Sequence, residues 1–204
     1  SGDVQVGDVG SSPFAAATSR GLAVKAFHLA SISGIDEALV VRDGVTLSIN
    51  VSLPGSVEKG PYPTVIEYSG YDPSNPGNSI NAKVFNALGY AYVGINMRGT
   101  GCSGGAFSFF GPEQLTDGYD AVEVVAAQPW VLHHRVGMVG ISYSGISQLF
   151  VASTQPPHLA AIAPLSVFED AYRSTLYPGG MLNTGFAVEW SAQRVAEAKA
   201  RAES

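Results

Sequence analysis

The chain has 204 residues, enough for one domain with a substantial core and too few for two comfortable ones. A net charge of −6 leaves no basic stripe to neutralise phosphates, which argues against nucleic acid and anionic membrane surfaces and for small molecules or peptides as partners. Charged residues make up only 14% of the chain, against roughly 25% in an average soluble protein, so an unusual share of its surface is expected to be buried or to face other protein.

No apolar run approaches the ~18 residues of a membrane span, and the first residues lack the charged-then-apolar order of a signal peptide. The chain as given therefore reads as soluble, with its compartment open. The single cysteine, Cys102, permits no internal disulfide. Residues 1–37 start rich in Gly, Ser and Ala with no sustained periodicity and read as a lead-in or linker. From Ala38 the pattern sharpens into a hairpin: Ala38 to Arg42, an Asp43-Gly44 turn, then Val45, Leu47, Ile49, Val51 and Leu53 in alternation. Thr64 to Tyr68 reads as a buried strand, followed by a polar loop from Ser69 to Asn78 and a helix from Ser79 to Leu88 closed by Gly89. Tyr90 to Asn96 is the next strand. Leu115, Tyr119, Val122 and Ala126 fall at helical spacing within Gln114 to Ala127, with acidic residues toward the first half, where the helix dipole favours them. Val136 to Ile141 reads as a strand, Tyr143 to Ser153 as a helix, and Leu159 to Leu165 as an apolar strand fit for burial on both faces. Strands alternating with helices imply an α/β class with a mostly parallel sheet and helices on both faces. On this reading residues 38–166 are the first part of a catalytic domain and residues 167–204 begin a cap.

The stretch Gly140-Ile141-Ser142-Tyr143-Ser144-Gly145 lies between a predicted strand and a predicted helix. Small residues flank the serine as a nucleophile elbow requires, because that turn strains the backbone and brings strand and helix close together. Standing just before the helix, Ser142 also puts the Tyr143 N–H where an oxyanion would form. A rival pattern, Gly99-Thr100-Gly101-Cys102-Ser103-Gly104, spells a dinucleotide-binding turn, but the following Ala106 to Pro112 cannot be the helix that would hold a pyrophosphate. It reads instead as a Gly-rich loop over the site's rim, held by Arg98. No cluster has metal-ligand spacing, so neither a metal nor another cofactor is expected.

Six ordered stretches carry a family resemblance: Tyr68-Ser69-Gly70-Tyr71-Asp72, Asn96 to Gly105, Asp117-Gly118-Tyr119-Asp120, Ala127-Gln128-Pro129-Trp130, Gly140 to Gly145, and Thr154 to Leu159. Together they resemble the CocE/NonD hydrolases, a group of α/β-hydrolase fold that includes cocaine esterase, X-prolyl dipeptidyl peptidases and α-amino-acid ester hydrolases. The likeness runs from about Val40 to Trp190. It implies Ser142 as nucleophile and an oxyanion hole made by the Tyr71 hydroxyl with the Tyr143 backbone N–H. Tyr71 suits that role from its position too, in the loop after the Thr64 to Tyr68 strand, where such folds place their second donor. Arg98, Asp117, Asp120 and Trp130 read as scaffold.

A serine hydrolase of this fold needs a carboxylate and a histidine after the serine. His28, His133 and His134 precede Ser142, and His158 follows a Pro-Pro turn leading straight into the next strand. Glu169 and Asp170 come too early to be presented by a further strand. The chain is therefore expected to be a fragment, completed by remaining strands bearing Asp and His, which a second docked polypeptide would carry. Two readings follow: a serine hydrolase cleaving an ester or a peptide-type, X-Pro included, acyl bond, or a non-catalytic relic or interaction module with the same fold.

Overall fold

The structure is a computed structural model, and it describes residues 36–78 and 80–202. Six strands form one sheet: β1 (Asp36–Val40), β2 (Thr46–Ser52), β3 (Tyr62–Ser69), β4 (Ala91–Asn96), β5 (Val131–Ile141) and β6 (Leu159–Leu165), in the spatial order β1-β2-β4-β3-β5-β6. The first two strands form the expected hairpin, and β2 runs antiparallel to β4. The pairings of β3 with β4, β3 with β5 and β5 with β6 are all parallel. The lead-in expected over residues 1–37 lies outside the described residues except for 36 and 37, which open β1.

Helices cover both faces, as the alternation of strands and helices requires. On one face Val65 and Tyr92 pack with Ala82 and Phe85 of α1 (Ile80–Ala87). On the other, Ile66, Tyr68, Val93 and Ile95 meet α2 (Pro112–Ala126) and α3 (Tyr143–Ser153) through Val122, Val125 and Val151. Beyond β6 come one π-helical turn (Ala171–Leu176), a short 3-10 turn (Pro178–Gly180) and α4 (Phe186–Ala202). Among the described residues no helix is long and apolar enough to cross a membrane.

One expectation needs correcting. Strand β5 starts at Val131, not Val136, and its first half carries His133 and His134, both with φ near +55°. Two left-handed residues in succession break the alternation that identifies a strand. Strand β6, apolar enough to be covered on both faces, is left uncovered. It is the sheet's edge among the described residues, and Ala160, Ala161, Ala163 and Leu165 are exposed.

Candidate active site

Ser142 joins the end of β5 to α3 with φ 60° and ψ −118°, a conformation sparsely populated by residues other than glycine. Such strain costs on the order of 1–3 kcal/mol and persists only where the surroundings impose it. Here they do. The Ser142 N–H donates to the Leu165 carbonyl of β6 at 2.9 Å, and the Ser142 carbonyl accepts from Ile146 N at 2.7 Å, the first bond of α3. A Cβ at Gly140 would strike Ser144, and one at Gly145 would strike the Leu165 carbonyl, so the crossing of strand and helix is closed to any side chain at either position. Tyr143, as the first residue of α3, has a backbone N–H with no intrahelical partner, one of the free donors that every helix start presents.

The Tyr71 ring stands beside this turn. Its loop leaves β3 and is pinned to the end of β4: Asn96 donates to Asp72 Oδ1 at 2.6 Å and accepts from Ser74 N at 3.0 Å. The Tyr71 N–H donates to Ser69 Oγ at 2.8 Å. The ring meets that of Tyr143 edge-on, centroids 5.3 Å apart, and its hydroxyl accepts a hydrogen bond from Trp190 Nε1 at 2.9 Å. Through its ring Tyr71 thus touches Tyr143, the residue that follows Ser142. The Tyr143 side chain is a wall, buried among Phe109, Phe110 and Trp190. Burial pushes its phenol well above its ordinary range, so the hydroxyl stays protonated at any working pH.

Ser142 lines a cleft of about 270 Å³ whose walls are mostly apolar, with Phe109, Phe168, Leu176, Phe186 and Trp190 prominent and Arg194 the cation at its border. The residues lining this cleft include no histidine, aspartate or glutamate. A second hollow of about 280 Å³ shares Phe107 and Arg194 with it and is lined further by Tyr71, Asp72, Thr100, Gly101 and Glu197. Among the described residues no group of His, Cys, Asp and Glu could hold a metal ion.

Residues 43–204 match the X-Pro dipeptidyl-peptidase (S15) family. The chain belongs to that family. Among proteins similar to this S15 chain, cocaine esterase of a Rhodococcus species is 33% identical over 157 residues, which cover 74% of this chain and 27% of the esterase. A CocE/NonD family hydrolase from Staphylococcus aureus superposes with a TM-score of 0.73 at 28% identity, over 80% of this chain and 33% of that one. An α-amino acid ester hydrolase superposes with a TM-score of 0.59 at 25% identity, over 75% and 29%. The S15 chain therefore spans about a third or less of the length of each of these three relatives.

The residues read as scaffold are held in ion pairs or in the core. Arg98 bonds Asp117 of α2 through two nitrogens at 2.6 and 2.5 Å and reaches Asp43 of the hairpin turn at 2.9 Å. That bonding, with Asp117 foremost, raises the guanidinium above its ordinary value. Asp120 is fully buried and paired with Arg42 at 2.5 Å, and Trp130 is buried in the core. The Gly-rich loop folds back on itself, Gly99 N to Gly104 O at 2.9 Å, and the next helix starts only at Pro112. His158 bonds Glu123 at 2.7 Å and its carbonyl accepts from Val136 N. It therefore stands at the end of the parallel strands opposite Ser142, about 15–20 Å of strand away.

Two residues that the sequence reading passed over bear on the site. Glu67 of β3 lies buried behind the elbow and accepts from Ser144 Oγ at 2.8 Å, Tyr92 Oη at 2.6 Å and Asn81 Nδ2 at 2.8 Å. A lone carboxylate inside an apolar strand was the available signal, because a buried charge must find partners. The other is Trp190 of α4, whose bond to Tyr71 no local pattern reports.

Proposed function

We propose that this S15-family chain supplies the nucleophile and the oxyanion hole of a serine hydrolase that cleaves an ester or a peptide-type acyl bond, X-Pro bonds included, through an acyl-enzyme. The observation that carries the reading is Ser142 held at φ 60° on the border of an apolar cleft, immediately before a helix whose first free N–H belongs to Tyr143. In the proposed reaction Ser142 Oγ attacks the carbonyl carbon while a base takes its proton. The carbonyl oxygen becomes an oxyanion and accepts from the Tyr143 N–H and the Tyr71 hydroxyl. The tetrahedral intermediate collapses, the leaving alcohol or amine departs with the base's proton, and water repeats the sequence on the acyl-enzyme to release the acid. The aromatic and aliphatic walls suit a substrate with an apolar group next to the scissile bond.

The base and its orienting carboxylate are proposed to come from outside the described residues, on further strands or on a second polypeptide docked along β6. His158, bonded to Glu123 at the opposite end of the strands, is not proposed for the role. A second reading, a hydrolase fold without the chemistry, draws on the absence of a histidine or carboxylate from the cleft lining. One experiment separates the two. The complete protein is treated with a fluorophosphonate probe and assayed on p-nitrophenyl esters. Labelling and turnover that both vanish in Ser142→Ala support the hydrolase, and a protein that never labels or turns over any ester supports the relic.

A further inference from the structure

Tyr71 is gripped by two residues one helical turn apart on α4. Trp190 Nε1 lies 2.9 Å from the Tyr71 hydroxyl, and the Arg194 guanidinium sits over the Tyr71 ring, 5.2 Å from its centroid. The direction of the first contact is fixed by chemistry. An indole nitrogen can only donate, whereas a phenol has one proton to give and lone pairs to accept with. Tyr71 must therefore accept from Trp190, and its own proton is not spent on that bond. A donation into the lone pair also restricts rotation about the phenolic C–O bond and polarises the O–H outward. The indole is itself immobilised, edge-on to Phe109 and Tyr143 at 5.2 and 5.6 Å and stacked on Phe186 at 6.1 Å.

We propose that Trp190 is a positioning residue for the oxyanion donor: its indole N–H holds the Tyr71 hydroxyl by its oxygen and leaves the phenolic proton to meet the substrate oxyanion. This rests on the reading of Tyr71 as an oxyanion donor. Electrostatic stabilisation of this kind is effective to the extent that the dipole is aimed before the reaction begins. Tyr71 issues from the sheet, but the group that aims it belongs to a helix beyond the last described strand. The oxyanion hole is thus complete only while α4 is seated on the Tyr71 loop, and Arg194 adds a cation–π contact that keeps it there.

The test is a double-mutant cycle on the complete enzyme with p-nitrophenyl acetate, whose acyl group is too small to use the cleft walls. Tyr71→Phe is expected to lower kcat about 100- to 1000-fold, the usual effect of losing one oxyanion donor. Trp190→Phe, which keeps an aromatic ring and removes the N–H, is expected to lower kcat about tenfold with KM within about twofold, the effect of one net hydrogen bond realised in the transition state. In a Tyr71→Phe background the Trp190 substitution is expected to change kcat by less than about twofold, because the group it aims is gone. Replacing Trp190 by benzothienylalanine, which keeps the bicyclic shape and puts sulfur in place of N–H, guards against a packing defect and is expected to match Trp190→Phe. A Trp190 effect that appears in KM, or that persists undiminished without the Tyr71 hydroxyl, would show that the indole is only a wall and overturn the proposal. So would an unchanged kcat in both Trp190 replacements while Tyr71→Phe is impaired. An unimpaired Tyr71→Phe would instead remove the oxyanion reading itself.

Discussion

At Glu67 a single carboxylate ties together three elements: Tyr92 from β4, Asn81 from α1 and Ser144 from the turn of the elbow. Burial and the adjacent carboxylate both drive the Tyr92 phenol far above its ordinary range, so it remains a donor to Glu67. Glu67→Ala would leave two buried donors, Tyr92 and Ser144, unpaired beside the half-buried Asn81, and at 1–3 kcal/mol for each buried group the variant is expected to lose about 2 kcal/mol or more. Urea denaturation should show this as a lower midpoint at an unchanged slope. Legibility at this scale followed distance along the chain. Ser142 and Tyr143 could be read because a strand, a small-residue turn and a helix are contiguous in sequence. The bonds of Glu67 to Ser144 and Tyr71 to Trp190 span 77 and 119 residues, and no local pattern reports a contact of that range.

Between elements, α3 approaches β6 closely at Gly145. Gly145→Ala would drive a methyl into the Leu165 carbonyl, which also accepts the Ser142 N–H, so helix and strand must part to admit it. An overpacking cost of about 1–3 kcal/mol is expected, together with slower labelling of Ser142 by a fluorophosphonate, because the bond that fixes the serine's backbone is strained by the same displacement. Arg98 joins elements in a different way, linking the hairpin turn at Asp43, the start of the Gly-rich loop and α2 at Asp117. Arg98→Ala would strand the buried Asp117 without its partner, at an expected 3–5 kcal/mol in thermal or chemical unfolding. Arg98→Lys is expected to recover only part of this, since an ammonium cannot reproduce the two-point bond. The succession of strands and helices was legible because its hydrophobic periods are strong. The start of β5 was not, because the left-handed pair His133 and His134 disrupts the alternation where the strand begins.

For the molecule as a whole, the β5–β6 end of the sheet presents Ile141, Leu165 and Val167 to solvent, at 60%, 59% and 43% exposure. An unpaired edge bordered by large apolar side chains recruits other chains. Residues 1–204 expressed by themselves are expected to self-associate in sedimentation experiments at micromolar concentration, and Leu165→Lys is expected to reduce the association. A monodisperse wild-type chain with a sharp unfolding transition would refute this account of the edge. The order of the strands matters also to how such a chain is made. Strands β1 and β2 can pair as soon as they leave the ribosome, because they are neighbours in both sequence and space. The central strand β3 is completed at Ser69, yet both of its neighbours are synthesised after it, β4 ending at Asn96 and β5 at Ile141. During that interval the apolar run Val65-Ile66 and the carboxylate of Glu67 belong to a nascent strand with neither edge closed. A strand at the middle of the finished sheet is therefore the one that waits longest for a partner during translation, and it is where a holding chaperone would have most to protect.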